Sequence, residues 1–408
     1  MITLDTLDFL TSRNGADVLA ALAEQELGDE RTLALLTALR KTLPAHEAGA
    51  ALELARLRRK ATAKFGDAAA RMWFTRDALE QASDPAARRY HAGGAAGLHV
   101  ADMCCGIGTD ALAFAAVKAQ VLAVEQDPVR AAMARLNADA LGLLLSVQTA
   151  DARSCDPDVV MLFFDPARRD DQGRRIHAVE EYQPPLSSLR RWRAPHTVSK
   201  LSPGVDLAQL AGWGGEVEFL SVEGALKEAL LRTGPAQWGG DPRLRATRIE
   251  AGEALHWPGM DREPGEISAP RGWLIEPDPA LIRAGLVTSA GRAWGAAQLD
   301  ETIAYLTADA PPETPWARAW EVFDWLPFNV KALRAALRER DVGYAAVKKR
   351  GSPVTPEALL PQLKLKGSGG ATIVLTRHAG KPIALICGHG PWEHGWASTD
   401  EFSARMDE

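Results

Sequence analysis

The sequence predicts a doubly wound α/β fold, a mostly parallel sheet covered by helices on both faces, preceded by a helical region and followed by a small basic α+β domain. Three observations lead there. From Leu98 onward, short apolar runs alternate with helical stretches, the pattern of βαβ units that right-handed crossovers assemble into a parallel sheet. The first of these runs passes into a glycine-rich turn, Met103-Cys104-Cys105-Gly106-Ile107-Gly108, and then into a helical stretch. Carboxylates follow at the ends of four successive strands: Asp102, Glu125, Asp151 and Asp165.

Residues from Thr3 to Phe65 read as helices, because Ala, Leu, Glu and Arg dominate and apolar residues recur at helical spacing. Trp73-Phe74-Thr75-Arg76 and a polar helix from Asp77 to Arg89 come next, and Gly93-Gly94 breaks the chain before the first strand. The α/β series then runs through strand Leu98 to Ala101, helix Asp110 to Lys118, strand Val121 to Val124 and helix Pro128 to Leu141. Strands Ser146 to Thr149, Val159 to Phe164, Thr197 to Ser199 and Val217 to Val222 continue it, followed by the helix-like Leu226 to Leu231 and a strand Arg245 to Ile249. Residues His256 to Pro315 are rich in Pro, Gly and Trp with weak periodicity, apart from a helix-like Pro279 to Leu286. Beyond Trp325 the pattern reads helix Val330 to Arg340, strand Tyr344 to Lys348, helix Glu357 to Leu363, and strands Thr372 to Thr376 and Ile383 to Cys387. The expected organisation is a helical region at 1–92, the α/β domain at 93–252, an irregular connector at 253–324 and the α+β domain at 325–408.

Composition excludes several classes. A hydrophobic share of 46% and a charged share of 25% are ordinary for globular proteins, which argues against disorder. No apolar run reaches the roughly 18 to 20 residues of a membrane span, and no basic-then-apolar leader opens the chain, so a cytoplasmic location is expected. The four cysteines, Cys104, Cys105, Cys155 and Cys387, fit neither a disulfide framework nor a metal-ligand spacing, and no metal site is expected. The net charge of −6 is uneven: residues 329–390 hold 11 Lys and Arg against 3 Asp and Glu, leaving the remainder at −14. A basic domain on an acidic chain fits an anionic partner such as RNA, and a solvated charged face gives the same count.

The chemistry concentrates at the strand tips. In Val100-Ala101-Asp102-Met103-Cys104-Cys105-Gly106-Ile107-Gly108-Thr109-Asp110, Gly106 and Gly108 allow the backbone to approach a ligand, and Cys104 stands where a third glycine is usual. Asp102 can accept hydrogen bonds from a cationic amino group. Glu125, 17 residues beyond Gly108, can bind both hydroxyls of a ribose, and Asp151 can accept from an adenine amino group. The glycine turn and Glu125 alone also suit a dinucleotide; the acids at the third and fourth tips narrow the choice, because ligands of open α/β sheets bind outside the carboxyl ends of the strands. At the fourth tip stands Asp165-Pro166-Ala167-Arg168-Arg169, a rigid acidic turn. Arg168 and Arg169 suit phosphate recognition or pairing with Asp170 or Asp171. A nucleophilic role for Cys104 or Cys105 inside the turn is not expected.

These residues resemble the class I methyltransferases, and more closely the bacterial family that carries a THUMP-like domain at its C-terminus. The resemblance covers nearly the whole chain: Phe74 to Ala82, Asp102 to Asp110, Asp165 to Arg169, Glu181-Tyr182-Gln183-Pro184-Pro185-Leu186, Lys200 to Asp206 and the basic terminal domain. It implies a Rossmann-like methyltransferase sheet and S-adenosyl-L-methionine as cofactor. By analogy the cofactor contacts are Asp102, Cys104, Gly106, Gly108, Asp110, Glu125, Asp151, Ala152 and Asp165, with Phe74 and Thr75 near the methionine end. The Asp165 turn resembles the Asp/Asn-Pro-Pro-aromatic motif of amine methyltransferases, which implies catalytic roles for Asp165 and Pro166. Ala167 and Arg168 depart from that motif, and Tyr182 is the candidate for the missing ring. Arg168, Arg169 and Lys200 are the candidate substrate contacts. The implied activity is methylation of a base nitrogen of tRNA or rRNA, with Lys348, Lys349, Arg350, Lys364, Lys366, Arg377 and Lys381 as phosphate contacts. A methyltransferase on a small molecule or protein, an NAD-dependent oxidoreductase and an RNA-binding protein without turnover are the competing readings.

Overall fold

The computed structural model describes residues 2–170, 172–259 and 263–388. The chain forms two compact units. The first holds Met1–Val222 and Lys227–Arg243; the second holds Glu223–Leu226 and the chain from Leu244 on.

The first unit opens with helices α1 (Leu4–Thr11), α2 (Arg13–Ala23), α3 (Thr32–Leu39) and α4 (Ala45–Phe65). The polar helix expected over Asp77 to Arg89 is two helices, α5 (Arg76–Gln81) and α6 (Pro85–Ala92). Pro85 has no N–H to continue α5, and Asp84 caps α6 by accepting from Ala86 N–H at 2.9 Å. Then follow β1 (His99–Met103), α7 (Thr109–Ala116), β2 (Gln120–Glu125), α8 (Pro128–Leu141), β3 (Ser146–Thr149), β4 (Met161–Phe164), β5 (His196–Leu201), β6 (Glu216–Val222) and β7 (Ala225–Thr233).

The strands run in the order β3-β2-β1-β4-β5-β7-β6. The first five are parallel, and β7 is antiparallel to β5. The chain reverses direction across the sheet between β1 and β4, which opens the crevice where α/β sheets bind ligands. β7 contains the segment whose Ala, Leu, Glu and Lys predict a helix. Burial between β5 and β6 overrides that propensity, since Glu228, Ala229, Leu230 and Leu231 are all buried. Val100, Ala123, Phe163, Val198 and Leu230 fill one side of the sheet against Phe114 of α7, while Ile107, Leu112 and Met133 join the core of the N-terminal helices.

The second unit contains β8 (Arg243–Glu250), β9 (Glu253–His256), β10 (Trp273–Pro277), α9 (Pro279–Arg283), α10 (Val287–Ala293), β11 (Ala297–Asp300), β12 (Ile303–Ala308), β13 (Ala317–Pro327), α11 (Val330–Glu339), β14 (Val342–Lys349), α12 (Pro356–Leu363), β15 (Gly369–His378) and β16 (Lys381–Cys387). A seven-stranded sheet runs β11-β12-β10-β13-β16-β15-β14. The region expected as an irregular connector therefore supplies four of its strands. Short strands separated by Pro, Gly and Trp leave no period to read, and Trp257 packs edge-on against Trp294 and Trp316, both at 5.7 Å. The helices and strands expected beyond Trp325 all form. Among the described residues, no helix is long and apolar enough to cross a membrane.

Candidate active site

The turn after β1 is built on three left-handed residues, Cys104 (φ 68°), Gly106 (φ 58°) and Gly108 (φ 85°). Cys104 thus adopts the conformation of the glycine it replaces. A Cβ on Gly108 would meet the Ala134 Cβ at 3.2 Å, whereas one on Gly106 would meet nothing within 4 Å; Gly108 is demanded by helix packing, and Gly106 faces open space. The turn is tied to β2, where Cys104 and Cys105 N–H both donate to Val124 O, at 2.9 and 3.0 Å. Glu125 accepts from Gly106 N–H at 2.8 Å through Oε2 and from Asp127 N–H at 2.9 Å through Oε1. A carboxylate has about four lone-pair sites, so Glu125 keeps acceptors for a diol.

Asp102, 1% exposed and next to last in β1, has no well-formed hydrogen bond to either carboxylate oxygen, and only the Ala111 N–H of α7 and the charge of Lys200 favour its ionised form. Burial, then the charges of Asp110 and Asp165, push its carboxyl well above the usual range. A buried carboxyl group with this little support, beside an open glycine turn, fits an incoming ammonium group. Burial and the neighbouring carboxylates also raise both cysteine thiols well above their ordinary value, which keeps them protonated and unsuited to nucleophilic attack.

Asp110, in the first turn of α7, is committed to protein partners. It accepts from Ser83 Oγ at 2.7 Å, and its other oxygen lies 2.7 Å from His91 Nδ1. The second imidazole nitrogen of His91 bonds Glu228 of β7. Burial alone would lower the imidazolium pKa, but Glu228 and Asp110 outweigh it and hold His91 up at about 9. Burial likewise opposes the ionised form of Asp110, yet His91 and Lys200 bring its carboxyl below the usual range. Asp165, its side chain 25% exposed, pairs through Oδ2 with Lys200 Nζ at 2.9 Å. Lys200, expected to meet substrate, is buried and held by Ser83 and Asp165.

The turn beyond Asp165 is braced by Ala167 and Gln183, which exchange backbone hydrogen bonds at 2.9 and 3.0 Å. Tyr182, 1% exposed with an unpartnered hydroxyl, lies in the interior and presents no ring to the crevice. Arg169 donates to Gly173 O, and Asp170 pairs with Arg174 instead of either arginine; Asp171 lies outside the described residues. The Arg168 guanidinium has no hydrogen-bond partner among the described residues. At the third tip, Asp151 is held by Arg153, whose backbone N–H and guanidinium both donate to it and keep its carboxyl below the usual range. Ala152 is buried behind it.

Phe74 is packed into the N-terminal core against Phe65 at 5.3 Å, and Thr75 caps α5 by accepting from Ala78 N–H. Their segment is fastened to the glycine turn by Asn137 of α8, a residue the sequence does not single out. Its amide accepts from Trp73 N–H at 2.7 Å and donates to Trp73 O and Ile107 O at 3.1 and 3.0 Å. Ser83, His91 and Glu228 are the other partners that sequence reasoning misses. Polar residues scattered on short helices carry no periodic signal, and Glu228 sits in the segment that reads as helix.

Several known proteins are similar to this chain. Residues 317–389 match the family described as THUMP domain-like, and residues 3–61 match a domain family of unknown function. Two Mycobacterium tuberculosis proteins, from strains CDC 1551 / Oshkosh and ATCC 25618 / H37Rv, are each named an uncharacterized S-adenosylmethionine-dependent methyltransferase. Both are 37% identical over 336 residues, covering 80% of this chain and 92% of theirs. A crystal structure of a candidate methyltransferase from Porphyromonas gingivalis W83 shares the fold, with a TM-score of 0.72 at 22% identity over 91% of this chain and 98% of that one.

Proposed function

The chain belongs to the S-adenosylmethionine-dependent methyltransferases, and from that premise we propose that it methylates a base nitrogen of tRNA or rRNA. The observation that carries the reading is Asp165: a partly exposed carboxylate at the tip of β4, with one oxygen engaged by Lys200 and the other free to accept an N–H. A terminal THUMP-like domain with a surplus of basic residues supports RNA as the substrate.

The chain's residues fit the cofactor. Asp102 would receive its ammonium group, the backbone at Cys104, Gly106 and Gly108 its methionine portion, Glu125 its ribose, and Asp151 with Ala152 its adenine. The bound cofactor supplies an electrophilic methyl group on a sulfonium, so the protein's task is alignment. Asp165 and the backbone of Pro166 would hold the target N–H groups with the nitrogen lone pair toward the methyl carbon, and Asp165 would accept the proton released after transfer. Arg168, free of protein partners, would bind a substrate phosphate, with Arg169 behind it. Tyr182, being interior, does not supply the aromatic of the related motif.

Incubating the protein with total bacterial RNA and methyl-labelled cofactor tests this reading. Label is expected in an N-methylated nucleoside after digestion; label in protein or small molecules with none in RNA contradicts it. That second reading has one observation in its favour. Lys348 and Arg350 both pair with Glu276, at 3.6 and 2.9 Å, and Arg340 pairs with Asp324 at 2.9 Å, so part of the basic surplus serves the domain's own fold.

A further inference from the structure

The parallel register of β4 and β5 sets Phe164 opposite Ser199, so Asp165, the first residue beyond β4, comes beside Lys200, which is still within β5. The Lys200 ammonium donates to Ser83 Oγ at 2.7 Å and Asp165 Oδ2 at 2.9 Å, with Glu228 3.9 Å away. Ser83 donates onward to Asp110, and His91 bridges Asp110 and Glu228. The like charges of Arg168 and Lys64 act from farther out. All of these groups except Arg168, Lys64 and Asp165 are buried.

We propose that Lys200 is a positioning residue for methyl transfer: it engages one oxygen of Asp165, fixes the rotation of that carboxylate, and leaves the other oxygen aimed at the N–H of the methyl-receiving group. The inference rests on the role given to Asp165 above. Rotation of an aspartate carboxylate is broad when nothing holds it, and a misplacement of about 1 Å can cost about 100-fold in rate. A buried ammonium is tolerated only when paired and hydrogen-bonded. Here its pairing connects the tip of β4, through Ser83, to the first turn of α7 directly after the glycine turn. The acceptor for the substrate and the frame of the cofactor turn are thus joined by one hydrogen-bonded chain, Asp165-Lys200-Ser83-Asp110. Two of the three Lys200 donors are engaged and the ammonium is buried beside Glu228, and this burial separates the role from a direct contact with substrate.

The test compares the full-length wild type with Lys200→Met, Lys200→Arg, Asp165→Asn and the Asp165→Asn/Lys200→Met double variant. It reads cofactor Kd by calorimetry, unfolding midpoint, and kcat and KM for labelled methyl transfer to total RNA. Lys200→Met is expected to lower kcat about 100-fold with Kd and KM within about threefold of wild type, and Lys200→Arg to recover about tenfold. The midpoint lost in Lys200→Met should return by at least about half in the double variant, where position 165 no longer carries an unpaired charge. A kcat within about threefold of wild type, or parallel losses in kcat and Kd without midpoint recovery, overturns the proposal. If wild type labels no RNA, the substrate reading falls on its own. The midpoint cycle then decides the pairing: recovery supports it and no recovery overturns it.

Discussion

Burial and two neighbouring acids push the Asp102 carboxyl well above the usual range, whereas an incoming ammonium favours its ionised form. Cofactor binding should therefore release a proton, and affinity should rise with pH until Asp102 is ionised in the free protein. Calorimetry in buffers of different ionisation enthalpy measures that proton directly, and net uptake would contradict the assignment. Gly108→Ala should cost about 1–3 kcal/mol in urea unfolding and weaken cofactor binding, because a left-handed alanine is strained and its Cβ would crowd Ala134. The glycines and Glu125 were legible in the sequence because their spacing follows from the strand-turn-helix geometry. Lys200 was legible only as a residue at a strand end. Its partner depends on which strands are neighbours and in what register, and no local pattern carries that.

At the scale of elements, Asn137 decides how the N-terminal helices meet the glycine turn. One amide satisfies Trp73 N–H, Trp73 O and Ile107 O in the buried interior. Asn137→Ala should therefore cost about 2–5 kcal/mol, since it orphans three buried backbone groups. Its cofactor affinity should fall as well if the Trp73-Phe74-Thr75 segment frames the site; stability lost with unchanged affinity would restrict Asn137 to packing. Most elements of the α/β series could be read because hydrophobic period and cap residues agreed, as at α8, where Asp127 caps and Pro128 opens the helix. β7 could not, because its residues favour a helix and only its place between two strands makes it extended. The strands of 253–324 were hidden by the same kind of dependence, with short runs defined by their neighbours.

For the whole molecule, the buried charges should set the alkaline limit of stability. His91 has a folded-state pKa of about 9, raised above its ordinary value of about 6.5. Its contribution, on the order of 3 kcal/mol, is fully present below about pH 6.5 and lost as pH rises through 9. Thermal midpoints of wild type should fall across that window, and His91→Gln should flatten the decline. The charge surplus of residues 329–390 makes a separate prediction about RNA. With Lys348 and Arg350 engaged by Glu276, Lys349, Lys364, Lys366, Arg377 and Lys381 are the cations left from those expected to meet phosphate. If all five do, log K for single-stranded RNA should fall by about 3 to 4 per decade of salt; a flat dependence would remove the electrostatic argument. The charge count was visible in the sequence, but the share consumed by internal pairing needed the fold. The most direct test of the account is calorimetric binding of S-adenosylmethionine to the wild type and to Asp102→Asn. Binding that weakens by about tenfold or more in the variant, with the thermal midpoint maintained, is the result expected from an ammonium-carboxylate contact. Equal affinity in the two proteins would place the cofactor's ammonium elsewhere and contradict the site.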